Sequence, residues 1–363
     1  MEMYNVCGDQ CSMAPAGKTV TLENAVGMVL CQDITEIVPG VKKGPAFKKG
    51  HVVSEADLPH LERLGKRHLF VLEMEPHQMH ENDAAELMAS ALCGPGVKKA
   101  GPPSEGKIEL VAEHDGLFDL DVQALIQFNL VPEVMCSTIH RYTPIKAGHR
   151  LGGTRPIPLI IDRENVEKAC AVAGQNGGLL KVRPYKPHKA GVVVTGNEVA
   201  SGLIEDRFAP IVGQKVRELG SEVLGERICP DDRSSVSYAI TSLLDQGADL
   251  IITTAGMSVD PDDVTRMGIA DAGGRDLVYG SPVLPGAMFL AGMLDGPQGE
   301  VPVLGVPACA LFYKTTILDL ILPRVLSGER FTREKIAALA HGGFCSNCKE
   351  GCRFPACAFG RGA

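Results

Sequence analysis

From Gly191 to Leu326 the chain alternates apolar runs of strand length with amphipathic runs of helix length, and no other feature constrains its fold as strongly. Apolar runs at residues 192–195, 222–228, 250–254 and 301–306 predict strands. Residues 208–219, 233–246, a stretch beginning at Asp263 or just after, and residues 310–326 predict helices. Strands separated by helices form βαβ units, whose crossovers set neighbouring strands parallel and cover both faces of the sheet. The fold class expected for residues 188–330 is therefore α/β, a three-layer domain with a mostly parallel sheet. In open sheets of this kind ligands bind beyond the carboxyl ends of the strands, so the loops that follow each strand are where chemistry belongs.

Upstream the texture changes to a mixed α+β region. Residues 17–75 read as a small unit with a strand at 19–22, a turn at Pro39-Gly40 and a strand at 70–72. Between them a helix begins near Ser54, where Ser54 and Asp57 have the spacing of a capping box, and Gly65 ends it. Residues 76–92 predict a helix with Pro76 at its first position, stopped by Cys93-Gly94-Pro95-Gly96. Short apolar runs at 108–112, 134–140 and 157–161 then alternate with Gly, Pro and Asp, as in a β-rich or mixed subdomain. The expected organisation is a small unit at 1–75, the mixed subdomain at 76–187, the α/β domain at 188–330 and a short Cys-rich tail at 331–363.

Composition narrows the partners. A hydrophobic content of 45% over 363 residues supplies more than one core. The formal charge of −8 argues against nucleic acid, which needs a basic stripe. No run reaches the roughly 18 charge-free apolar residues of a membrane span. The start MEMYNVCGDQCSM lacks the order of a secretory signal, so a cytoplasmic location is expected. In that compartment the 12 cysteines are not expected to pair as disulfides, and clustered ones become metal candidates.

The strand-end loops are rich in glycine, proline and acids. They are Thr195-Gly196-Asn197-Glu198, Pro230-Asp231-Asp232, Ala255-Gly256-Met257-Ser258 followed by Asp260, Asp262 and Asp263, and Gly305-Val306-Pro307. Gly256 permits close backbone approach, and Ser258 adds a hydroxyl to backbone N–H groups able to cradle a phosphate. Carboxylates on the same rim suit a hydrated Mg²⁺, which takes one or two of them together with substrate phosphates. Nucleotide or phosphorylated-ligand chemistry follows from that pairing. The alternative for Ser258, Asp260 and Asp262 is a role as turn and N-cap residues.

Taken together, TGNE at 195–198, PDD at 230–232, DLIITTAGMSVDPDDVT at 249–265, LPG at 284–286 and VPVLGVP at 301–307 resemble, in order and spacing, the molybdopterin-binding domain of the MoeA, MogA and gephyrin family. The resemblance covers about residues 188–328; residues 23–35 and 47–72 also resemble parts of the MoeA amino-terminal region. It implies molybdenum cofactor biosynthesis. In the family one branch adenylates molybdopterin with Mg-ATP, and the MoeA branch releases AMP from adenylated molybdopterin while inserting molybdate. It further implies that Asp263, Asp232 (or Asp231) and Glu198 are the catalytic acids, holding Mg²⁺ and orienting water or molybdate at the phosphoanhydride. Thr195, Gly196, Gly256, Met257, Ser258, Pro285, Gly286, Gly305 and Pro307 would bind the pterin. The chain departs from the family pattern at Ala255, where a double glycine is usual, and at Asp260, where the MoeA branch often has glycine. The Pro-Ser-Met-Asp-Gly-Tyr segment of MoeA is absent. Two activities are thus expected: Mg-dependent molybdate insertion or, alternatively, non-catalytic molybdopterin binding by a carrier or sensor that responds to molybdoenzymes. A homo-oligomer is expected by analogy with related domains.

In the tail, Cys345-x2-Cys348-x3-Cys352-x4-Cys357 gathers four thiols in one short run with Phe344, Phe354 and Phe359 around them. Zinc ribbons separate two knuckles by a longer hairpin, whereas a compact run with proline near its last cysteine is closer to ferredoxin-type ligation. An iron–sulfur cluster is favoured over Zn²⁺, with reduced, unliganded thiols as the third reading. Cys7-x3-Cys11 is a weaker pair, and Cys31, Cys93, Cys136, Cys170, Cys229 and Cys309 read as small buried hydrophobes.

Overall fold

The computed structural model of the protein describes residues 18–38, 42–175, 177–258 and 263–361, so Cys7, Cys11, the Pro39-Gly40 turn, Asp260 and Asp262 lie outside the described residues. The chain divides into two compact units. One comprises Met1–Val111, Leu120–Ile139 and Arg150–Lys181; the other comprises Ala112–Asp119, His140–His149 and Val182–Ala363.

In the first unit a three-stranded antiparallel sheet runs in the order Lys18–Thr21, His68–Leu72, Val29–Leu30. The Ser54/Asp57 capping box forms as its spacing predicts, with Ser54 N–H donating to Asp57 Oδ2 at 2.8 Å. The helix Leu58–Arg63 follows and stops at Gly65, whose φ of +76° lies in the left-handed region that favours glycine. Leu22, Leu30, Leu61 and Val71 fill the small core beneath it. Beyond it a four-stranded sheet, in the order Val134–Thr138, Arg150–Pro156, Ile108–Ala112, Val97–Lys99, is accompanied by the helices Val122–Asn129 and Arg163–Gly174.

One expectation here is corrected. Residues 76–80 do not open a helix: Gln78–His80 is a strand paired antiparallel with Ile160–Asp162, and the helix spans Glu81–Leu92. The start moves downstream because the His80 side chain supplies the cap, its Nδ1 accepting from Asn82 N–H at 3.2 Å.

The second unit is built on a six-stranded sheet in the order Glu222–Cys229, Lys189–Thr195, Leu250–Thr254, Gly299–Val306, Leu290–Gly296, Arg275–Tyr279. Its first four strands are parallel, as the alternation predicts. Both faces are covered: Val192 and Val194 point into one core with Phe208, Val212 and Ile321, while Val193 points into the other with Ile240 and Leu243. The last two strands are antiparallel, and Leu290–Gly296 folds back on Gly299–Val306 through a tight hairpin in which Gly296 pairs with Gly299.

The helix expected over 310–326 is broken into a short 3-10 turn, Ala308–Leu311, and the helix Ile317–Leu326. Thr316 and Asp319 form a capping box that starts a fresh helix, with Thr316 N–H donating to Asp319 Oδ2 at 2.7 Å. Phe331, Ile336, Leu339 and Phe359 from the tail join the same core as Ile317, Ile321 and Leu322 of this helix. Gly360 passes Leu320 so closely that a Cβ there would sit 2.3 Å from Leu320 Cδ2. The tail is thus folded onto the domain by apolar packing. Among the described residues no helix is long and apolar enough to cross a membrane.

Candidate functional site

The chain leaves the sheet centre on opposite sides: Lys189–Thr195 is flanked by Glu222–Cys229 and by Leu250–Thr254. That is the switch point at which open sheets place ligands, and the loop 255–258 starts there. Thr195 Oγ1 donates to Thr254 O at 3.2 Å and lies 3.0 Å from Thr265 Oγ1, so the buried hydroxyls of two elements meet under the loop. Gly256 rests on them. A Cβ at this position would lie 2.1 Å from Thr265 Oγ1 and 2.9 Å from Thr195 Oγ1, and φ is +57°. Ala255 is also left-handed, at φ +66°. An alanine held in this conformation costs about 1 kcal/mol of backbone energy.

Met257 turns inward and is buried; Gly305 makes room for it, since a Cβ there would meet Met257 Cε at 2.5 Å. The Tyr279 hydroxyl donates to Met257 O at 2.6 Å, and the Arg266 guanidinium stacks over the Tyr279 ring at 4.2 Å. The Ser258 N–H donates to Asp263 Oδ2 at 2.7 Å. Asp263 therefore occupies one backbone donor of the loop.

A cavity of about 870 Å³ opens over this loop. Gly256, Met257, Ser258 and Asp263 line one wall, Leu284, Pro285 and Gly286 another, Pro307, Cys309 and Tyr313 the third, and Phe344 to Asn347 of the tail the fourth. Gly286 is required there: at φ +136° its Cα faces Ile317, and a Cβ would lie 2.5 Å from Ile317 Cγ2. Of the residues expected from sequence, Thr195 and Gly305 support the loop from beneath, and Thr195, Gly196, Glu198, Asp232 and Gly305 do not line the cavity. Cys309, Tyr313, Phe344 and Asn347 line it without having been singled out as ligand contacts. The sequence signal for Phe344 was its place beside the cysteines.

The acids fall into two classes. Asp232 caps the helix Arg233–Asp245, accepting from Ser234 Oγ at 2.6 Å and from Ser235 N–H at 2.9 Å, and these bonds bring its pKa down to about 2. Asp231 instead exchanges hydrogen bonds with Asn197: Asn197 N–H donates to Asp231 Oδ2 at 3.0 Å, and Asp231 N–H donates to Asn197 Oδ1 at 3.1 Å. Burial raises the pKa of Asp231. The Asn197 N–H opposes the rise, while the charges of Glu198 and Asp263 add to it. Ionising Asp231 therefore costs stability at pH values above its folded pKa, and that cost vanishes below the unfolded one. Asp231→Asn is expected to raise Tm at neutral pH, with the gain fading as the pH falls from the folded pKa towards 3.8 and absent below it. Thermal melts of both proteins across that range check it; a gain that persists in acid would refute the charge explanation.

Among the described residues, no three His, Cys, Asp or Glu side chains are gathered as a metal site. The tail cysteines follow that pattern. Cys345 and Cys357 pack against the core, the Cys352 thiol lies 3.0 Å from Thr315 Oγ1, and Cys348 is exposed. Phe354 and Phe359 meet edge-to-face at 6.3 Å, so these aromatics belong to the core that anchors the tail.

Residues 191–327 match the family model described as "Probable molybdopterin binding domain", and residues 19–73 match a domain of unknown function (DUF8806). A CinA-like protein of Mycobacterium avium (strain 104) is 38% identical over 95 residues, which is 26% of this chain and 22% of that protein. The CinA-like protein of Mycobacterium tuberculosis (strain ATCC 25618 / H37Rv) is 37% identical over 90 residues, 25% of this chain and 21% of that protein. The chain thus spans about a fifth of the length of these curated relatives. Among solved structures, the tungsten cofactor synthesizing protein MoaB from Pyrococcus furiosus is similar over 39% of this chain and 93% of its own, at 23% identity and a TM-score of 0.32. A molybdenum cofactor biosynthesis protein from the same organism is similar over 88% of this chain and 64% of its own, at 15% identity and a TM-score of 0.25.

Proposed function

We propose, from the premise that residues 191–327 form a domain of the molybdopterin-binding family, that this chain binds molybdopterin or its adenylate in the cavity over residues 255–258. We further propose that it acts in Mg-dependent molybdate insertion with release of AMP. The observation that carries this reading is the meeting of Gly256, Ser258 and Asp263 with Pro285 and Gly286 around one cavity. A glycine-permitted loop with backbone donors supports an anionic end for the ligand, and the apolar lining residues support a ring. Asp263 then has two tasks: it releases the Ser258 N–H to an incoming phosphate, and its own carboxylate becomes available at the phosphoanhydride. Asp231, whose pKa burial raises, lies outside the lining of this cavity.

Asp263, Asp231 and Glu198 are not gathered as a three-carboxylate ligand set, so Asp263, which lines the cavity, is the carboxylate that would meet a hydrated Mg²⁺ brought in by substrate phosphates. When bound, the ion would neutralise charge on the phosphoanhydride. Incubating the protein with adenylated molybdopterin, Mg²⁺ and molybdate is expected to yield AMP by mass spectrometry, with Asp263→Asn slowing release by about a hundredfold. The second reading is a non-catalytic carrier or sensor, favoured by the Ser258 N–H already being taken by Asp263. Tight binding without AMP, unchanged in Asp263→Asn, would replace the first reading with the second.

An iron–sulfur or zinc site in the tail is supported by the spacing of Cys345, Cys348, Cys352 and Cys357 alone, because the four thiols as placed do not form a ligand set. Iron, with visible absorption of anaerobically purified protein, is the outcome expected of the cluster reading; a colourless zinc protein would sink it.

A further inference from the structure

Resting on that reading of the cavity, we propose that Phe344 is a stacking residue for a planar nitrogen heterocycle of the ligand, and that the tail residues 344–347 complete the pocket. Phe344 is 74% exposed, while Leu339, Cys345 and Phe359 of the same tail turn into or against the core. Its backbone is nonetheless fixed. Leu284 N–H donates to Gly343 O and Cys345 N–H donates to Leu284 O, both at 2.8 Å, so Phe344 is paired in parallel with Leu284, which also lines the cavity. Gly343 admits the approach: a Cβ there would lie 2.5 Å from Leu339 O and 2.7 Å from Pro282 O.

A large apolar ring is therefore presented on a fixed backbone beside Leu284, in a cavity that Tyr313 also lines; Leu284 and Tyr313 are 52% and 39% exposed. Exposed apolar groups converging on a concave site mark ligand binding. A flat heteroaromatic ring covers a phenyl face by offset stacking and leaves its polar edge to Ser346 and Asn347. The loop 255–258 takes the anionic end, so the tail, which lies beyond residues 191–327, takes the ring. Both a pterin and a purine have the required chemistry.

The test titrates the full chain anaerobically with molybdopterin and, separately, with adenosine monophosphate. It compares wild type, Phe344→Ala, Phe344→Tyr and the control Phe312→Ala. Phe312 is 80% exposed but lines a different cavity, against Lys314 and Leu318. Phe344→Ala is expected to weaken one or both probes about tenfold and to abolish the absorbance shift of the stacked ring, with Phe344→Tyr restoring both. Phe312→Ala should bind as wild type. Loss confined to molybdopterin identifies the pterin, and loss confined to adenosine monophosphate identifies the purine. Equal binding by wild type and Phe344→Ala, with wild type binding molybdopterin, overturns the stacking role and leaves the proposed function standing. Phe344-dependent binding of adenosine monophosphate without any binding of molybdopterin overturns the proposed function and leaves the stacking role. Binding of neither probe overturns both.

Discussion

Gly256→Ala is expected to abolish ligand binding at the cavity and to destabilise the fold by roughly 2–4 kcal/mol, the sum of a left-handed alanine and an overpacked contact. The added methyl would lie 2.1 Å from Thr265 Oγ1 and 2.9 Å from Thr195 Oγ1. Neither hydroxyl can move aside freely, because both threonines are buried and their Oγ1 atoms meet at 3.0 Å. The loop must lift instead, and with it the Ser258 N–H. Ala255→Gly is the internal control, since it relieves the φ of +66° with no new contact. Urea denaturation with a molybdopterin titration measures both effects. An alanine at 256 that binds like wild type would show that the loop does not shape the site.

Glu329→Gln is expected to cost about 3–5 kcal/mol, because it strands buried positive charge. Glu329 accepts from Arg324 through both oxygens, Nη2 to Oε1 at 2.6 Å and Nε to Oε2 at 2.9 Å, with Lys335 Nζ 3.2 Å from Oε1. Arg324 is itself buried between the rings of Tyr142 at 4.0 Å and Phe331 at 4.7 Å. Burial alone would raise the Glu329 pKa; the hydrogen bonds and charge of Arg324, then those of Lys335, more than reverse it and bring it to about 2. A depressed folded pKa contributes stability at pH values above the unfolded value of 4.5 and loses it as the pH falls through about 2. The gap in Tm between wild type and Glu329→Gln should therefore be full at neutral pH and close in strong acid. A gap independent of pH would assign the loss to packing instead.

The parallel part of the sheet was legible because its strands carry their own signal. Leu250–Thr254 is buried on both faces, and its bounds follow from a run of three aliphatic residues and two β-branched threonines. The antiparallel pair was not, because Arg275–Tyr279 is only partly buried and lacks alternation, while Leu290–Gly296 is placed by pairing with Gly299–Val306. The loop 255–258 was legible through Gly256, whose neighbours Thr195 and Thr265 explain the residue once seen together. Asp231 and Asp232 are adjacent and identical in sequence, and only the serines at 234 and 235 make one of them a cap. The fourth wall of the cavity was hidden most completely. Its cysteines drew attention in the sequence, while its contribution comes from pairing with Leu284, far away along the chain.

The two outer strands of the large sheet have a consequence for the behaviour of the protein in concentrated solution. Arg275–Tyr279 carries a register shift between Arg275 and Val278, and Asp276 sits at φ +52°, so this rim is kinked. The opposite rim, Glu222–Cys229, presents exposed Glu222 and Glu226, with Ile228 the exposed apolar residue between Glu226 and its buried end. A bent strand and a charged one are poor templates for addition of another copy, so the sheet is guarded against growing edge to edge into aggregates.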